Sequence, residues 1–234
     1  MAAELGRDRL LAVLVFTSGF GILALEMSAA RLLAPFFGTS LVIWANLIGL
    51  VMVALAAGYL LGGRWADRNP RRKVPYQIVA WAGFYSGLIP LLARPILNIS
   101  ATGFQQLAAD ILLGSLVALL ALFAVPVVLL ACVGPFAIRL QASSVDTTGQ
   151  TAGGIYALST AGSLVGTFLP VLVTIPALGT RVTFLLISLV LLAVSLAGLF
   201  QRVGRRAWVY VSLPVIVVGL AFLTGAGPVK APQS

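Results

Sequence analysis

FTSGFGILALEMSAARLLAPFFGTSLVIWANLIGLVMVALAAGYLLGGRWADR, residues 16 to 68, sets two apolar runs end to end, with a proline and a glycine between them and a basic exit. The first run begins earlier, near Leu10, and lasts to about Leu33 before Pro35 and Gly38 interrupt it. The second runs from Leu41 to Gly63. Each approaches the length, about 20 residues, that carries a helix across the hydrocarbon of a bilayer. Lipid offers no hydrogen bonds, so a spanning segment must satisfy its own backbone, which a helix does. The first run outlasts the apolar core of a signal peptide and shows no convincing cleavage site. It reads as a retained helix.

The rest of the chain repeats the pattern. Of the 234 residues, 60% are hydrophobic and 9% charged, where a soluble domain carries about 25% charged residues. The mean hydropathy of +1.08 agrees. Further runs cover Val74 to Ala93, Leu107 to Leu140, Ala152 to Ile175, Val182 to Phe200 and Ala207 to Leu223. The Leu107–Leu140 run is long for one straight span, and Pro126 and Pro135 predict a kink, a tilt or a surface continuation. Asn98 to Gln106 reads as a loop. The expectation is an all-α polytopic membrane protein of about seven transmembrane helices. Residues 1–9 form an N-terminal segment, 10–223 the bundle and 224–234 a flexible tail.

The net charge of +9 comes from 15 basic and 6 acidic residues. Arg64, Arg68, Arg71, Arg72 and Lys73 lie between the second and third runs, and Arg202, Arg205 and Arg206 between the last two. Arg139 and the Arg7–Arg9 pair complete the set. With seven spans these fall on one side, which the positive-inside rule makes cytoplasmic, together with the N-terminus. The location expected is a prokaryotic plasma membrane, the cell inner membrane. Anionic lipid is the expected partner of this charge, and nucleic acid is not. Trp65 and Trp208, which flank basic loops, read as interfacial anchors. There is no histidine, and Cys132 is the single cysteine. No cofactor and no metal site is expected from such a set.

Small residues recur at helical spacing at Ala54, Gly58 and Gly62, at Gly83 and Gly87, and at Gly162 and Gly166. Such stripes let helix backbones approach closely. Ser159, Ser163 and Thr167 form a polar stripe able to bond across helices. Against this background Glu26 stands out. A carboxylate four turns into a span is costly and must face the bundle interior or water. It is either a polar anchor or a binding and coupling group. Arg31, five residues on, has poor spacing for the same helix face. It either snorkels or holds an anion. Asn46, Tyr59 and Tyr85 are the other candidate substrate or coupling groups, with Gln77 a weaker polar signal. No catalytic nucleophile–base pair is visible.

Residues 16–68 resemble the membrane region of fused major-facilitator/spermidine synthase proteins, also called membrane-bound spermidine synthase-like proteins. The resemblance rests on Ser18-Gly19, Glu26, Arg31-Leu32, Pro35, Gly38 to Ser40, Trp44, Gly62 to Arg64 and Ala66 to Arg68. GGIYALSTAGSLVGTFLPVLVTIPALGTR, residues 153 to 181, resembles the same family's glycine-rich helix and its Pro-x-Leu-Gly turn. Gly63, Asp67, Arg68, Arg71 and Arg72 also match the loop between the second and third helices of major facilitator transporters, with Pro70 in place of a glycine. That loop implies a gating role for Arg64, Asp67, Arg68, Arg71 and Arg72, beside the plainer role of setting topology.

Many members of the family fuse the membrane region to a soluble aminopropyltransferase-like domain. Such a domain needs a nucleotide-binding glycine loop and an acidic polyamine pocket, and neither is visible in this chain. Spermidine synthesis by this chain alone is therefore not expected. Two readings stay open. One is a transporter-like module for polyamines or other small cations, partly major-facilitator-like. It has fewer spans than a complete facilitator, so a working carrier would need a homodimer. The other is a non-transporting anchor or regulatory scaffold for a soluble synthase-like partner.

Overall fold

The computed structural model describes the backbone of residues 2–103, 110–142 and 145–223, and the side chains of 9–103, 111–142 and 148–223. The described residues are helical almost throughout. Helix α1 spans Ala2–Phe37, α2 Leu41–Arg68, α3 Val74–Gly103, α4 Asp110–Ala131 and α5 Val133–Gln141. Helix α6 spans Val145–Leu169, α7 Ile175–Val203 and α8 Trp208–Leu223. The tail expected at 224–234 lies outside the described residues.

The expectation of about seven separate spans is corrected. Five helical stretches are long and apolar enough to cross a membrane: Arg9–Phe37, Leu41–Arg68, Val74–Gly103, Ile111–Gln141 and Thr148–Leu223. The last takes in three of the runs drawn from the sequence, because no loop of any length separates them: the joints are a π turn, a single non-helical residue at Gly179 and a 3₁₀ turn. Pro170 has no N–H to offer the ladder, and the chain widens there into a π turn, Pro170–Thr174, in which the Ile175 N–H donates to the Pro170 carbonyl. Gly204–Ala207 forms a tight 3₁₀ turn leading straight into α8.

Other boundaries move for related reasons. Helix α3 does not stop at Arg94-Pro95 but continues through Pro90 and Pro95 to Gly103, so most of the loop expected at 98–106 is helix. Proline is tolerated inside such helices because neighbouring groups re-satisfy the freed backbone. The long fourth run breaks at Cys132, between α4 and α5, and not at Pro126. Pro135 cannot donate to the carbonyl four residues back, which is that of Ala131.

Glycines sit where backbones touch. A Cβ on Gly162 or Gly166 would overlap the carbonyl oxygens of Phe16 and Phe20, so α6 lies directly along α1, in parallel. Ser163 Oγ donates across this contact to the Gly19 carbonyl at 3.1 Å. Gly58 and Gly62 seat α2 against Ala131 and Cys132, while Gly83 and Gly87 seat α3 against Ser188 and its neighbours in α7. All three small-residue stripes are packing surfaces. At Gly179 the backbone takes φ 82° and ψ 163°, a conformation only glycine adopts readily. There the final stretch turns back, and α7 runs antiparallel to α3, with Gly198 against Tyr76 and Gly83 against Leu191.

These pairings gather the basic segments at one end. Asp67 at the end of α2 meets Arg139 of α5. Tyr210, just past Arg205 and Arg206, meets Gln77, just past Lys73. The opposite end holds Arg181, whose Nη2 donates to the Ala221 carbonyl at 3.1 Å. One large cluster of buried apolar side chains, from Leu11 to Leu213, fills the space between the helices.

Candidate functional site

Glu26 lies in the middle of α1 and is only 8% exposed. Its carboxyl makes no hydrogen bond and no ion pair with any described residue. A buried carboxyl without a partner is costly whether it is charged or neutral. Arg31 is exposed and does not reach it. The polar groups that α1 does satisfy are hydroxyls of the preceding turns. Thr17 Oγ1 donates to the Val13 carbonyl at 2.8 Å, and Ser18 Oγ to the Leu14 carbonyl at 2.7 Å.

Ser18, Ile22 and Glu26 follow one another at i, i+4 and i+8, along nearly one face of the helix. Ser18 and Ile22 line a small cleft between α1, α2, α5 and α6, closed by Tyr59, Tyr156, Ser159 and Gly134. Its volume of about 20 Å³ holds roughly one water. Glu26 sits about 6 Å further along the helix axis than Ile22, one turn away. The cleft thus brings four hydroxyls, those of Ser18, Tyr59, Tyr156 and Ser159, to the face that carries the one carboxylate buried within a described span. Hydroxyls can donate to and accept from a hydrated cation or a water chain.

The other sequence candidates are dispersed. Tyr59 joins the cleft. Asn46 instead ties two helices together, its Nδ2 donating to the Leu112 carbonyl and to Ser115 Oγ, both at 2.8 Å. Tyr85 is exposed on α3 beside Trp81 and Phe84, at ring separations of 6.5 and 6.2 Å. Gln77 donates to the Tyr210 hydroxyl at 2.6 Å. In the basic loop, Asp67 Oδ1 and Arg139 Nε lie 3.2 Å apart, with both side chains more than half exposed. Arg64, Arg68, Arg71 and Arg72 are exposed. Among the described residues no three His, Cys, Asp or Glu side chains group to hold a metal ion.

Three parts of this arrangement escaped the sequence reading. Tyr156 and Ser159 join the cleft only because α6 packs along α1, and nothing in their own helix points to Tyr59. Glu26 itself was singled out, but its shared face with Ser18 and Ile22 was not. Arg139 as the partner of Asp67 carried no sequence signal, since the two are far apart in the chain. No protein-family model, curated protein or solved structure matches the chain.

Proposed function

We propose that this multi-span helical membrane protein is a transporter-like module for a small cation, with Glu26 as the counter-charge. The observation that carries the reading is the buried Glu26 carboxyl, without a partner among the described residues and one turn from a hydroxyl-lined cleft. An ionisable group kept inside a membrane bundle at such cost is most economically explained by work done on a charge. The π turn at Pro170 and the break at Gly179 supply interrupted helices of the sort that transporters place near binding sites. The resemblance to the spermidine synthase-like membrane region suggests a polyamine as the cation. A homodimer is the working unit proposed, and the plasma membrane of a prokaryote the location, with the basic end and the N-terminus cytoplasmic.

A second reading draws on the exposed basic end, which suits a non-transporting anchor for a soluble synthase-like enzyme. Proteoliposome uptake separates the two. Saturable accumulation of labelled spermidine or putrescine is expected for the wild-type chain, and its loss for a correctly assembled Glu26→Gln variant. Equal uptake by both proteins would remove Glu26 from any such role. Absence of flux in both, with capture of a synthase-like enzyme, would favour the anchor.

A further inference from the structure

Helix α2 leaves a groove on its basic end where it lies against α4. The groove encloses about 530 Å³. Leu61, Val128 and Leu129 form its apolar floor, and Arg64, Trp65 and Arg68 its rim. Arg64 and Arg68 are four residues apart and so share a helix face, about 6 Å from one another along the axis. Both are exposed, and neither makes an ion pair or hydrogen bond with a described residue. The nearby Asp67 is turned towards Arg139. Trp65 rests edge-on against Phe136, with ring centroids 5.7 Å apart and planes at 78°. This fixes one wall of the groove and leaves a half-exposed indole at the level of the guanidinium groups.

We infer that this groove is a binding site for an anionic phospholipid, its phosphate held by Arg64 and Arg68 and an acyl chain laid along Leu61, Val128 and Leu129. A phosphate takes charge-assisted, forked hydrogen bonds from guanidinium groups. An indole beside them suits the boundary between headgroup and chain. Two other grooves show what singles this one out. The groove that adjoins it across Trp65 and Leu129 encloses about 220 Å³ and is lined by Gln77, Trp81 and Tyr210, with no basic side chain. The groove between α7 and α8 encloses about 340 Å³, and its one cation, Arg181, already donates to the Ala221 carbonyl. Of these three grooves among the described residues, the α2–α4 groove alone pairs an apolar channel with two available cations. The site depends on close helix contact, because Gly58 and Gly62 bring α2 down onto Ala131 and Cys132 beneath it.

The test uses the full chain in nanodiscs of equal phosphatidylglycerol and phosphatidylcholine, with retained lipid counted by native mass spectrometry. Wild-type protein is expected to retain phosphatidylglycerol selectively. Arg64→Gln with Arg68→Gln should lower that retention roughly tenfold to thirtyfold, the effect of about two basic residues at an anionic surface. Arg205→Gln with Arg206→Gln removes the same charge from the same end, outside the groove, and should leave retention near the wild-type level. Leu61→Trp keeps both cations and fills the channel, and should also release the lipid. Because it leaves the arginines untouched, it covers the case in which the double variant fails to assemble. Equal losses in the two arginine pairs would overturn the proposal in favour of diffuse surface charge. Equal retention of the two lipids would overturn it outright. So would a soluble acidic protein bound through Arg64 and Arg68 while phosphatidylglycerol retention stays unchanged in every variant.

Discussion

Replacing Gly162 by alanine should loosen the bundle far more than the same change at Gly154, eight residues earlier in the same helix. A Cβ on Gly162 would overlap the Phe16 carbonyl oxygen, whereas one on Gly154 meets nothing within 4 Å. Ordinary contact needs 3.4–4 Å, so α1 and α6 must part by well over 1 Å at this point, a gap that forfeits about half or more of each contact's attraction. The obstacle is backbone and not a flexible side-chain end, so the cost belongs at the top of the usual overpacking range, about 2–3 kcal/mol. Helix α6 has α1 as its principal partner and cannot recover the loss elsewhere. At Gly154, stability should change by no more than about 0.5 kcal/mol. Helices largely persist when membrane proteins unfold in detergent, so the helix propensity gained by alanine mostly cancels. The assay is reversible unfolding in mixed micelles of increasing dodecyl sulfate, followed by tryptophan fluorescence. Equal midpoints for Gly162→Ala and Gly154→Ala would refute the reasoning and with it the direct α1–α6 backbone contact.

Glu26→Leu should leave stability unchanged or raise it by about 1–3 kcal/mol, since a largely buried carboxyl without a partner among the described residues is removed; a marked loss in the same unfolding assay would point to a partner that Glu26 needs. Asn46→Ala should cost about 1–2 kcal/mol, because two hydrogen bonds joining α2 to α4 disappear; an unchanged midpoint would mean those bonds are exchanged freely for water. Asp67→Asn should change stability by less than about 1 kcal/mol, because the pair with Arg139 is solvent-exposed and screened. A larger loss that persists in high salt would show a buried contact in its place.

Much of the molecule could be read in advance from its residues, and the errors are informative. The starts of α2 at Leu41 and α3 at Val74 coincide with the expected ones, because Gly38 and the charged turn at Arg71–Lys73 are strong punctuation. The end of α3 was misjudged, because proline was taken to stop a helix. In a membrane the gain from continuing the helix outweighs one missing hydrogen bond, and α3 passes Pro90 and Pro95 without stopping. Counting separate spans failed for a related reason, since the apolar runs are divided only by the π turn after Pro170, one non-helical residue at Gly179 and the 3₁₀ turn at Gly204, with no loop between them. Glu26 was legible. The cleft was not, because Tyr59 and Tyr156 belong to different helices.

The amino-acid sequence by itself determined the solvent, the helical class, the small-residue stripes, the clusters of basic residues and the isolated Glu26. All of these follow from local chemistry: the cost of a charge or an open backbone group in lipid depends on the residue and its neighbours in the chain. Which helix lies against which was decided only in three dimensions. The runs are similarly apolar, and lipid is as apolar as they are, so hydropathy does not choose partners. That choice came from shape, as glycines at 162 and 166 let α6 rest on the α1 backbone and those at 58 and 62 let α2 rest on α4. Those contacts set Tyr156 and Ser159 beside the face of Ser18, Ile22 and Glu26. They also left Arg64 and Arg68 at the mouth of an apolar groove.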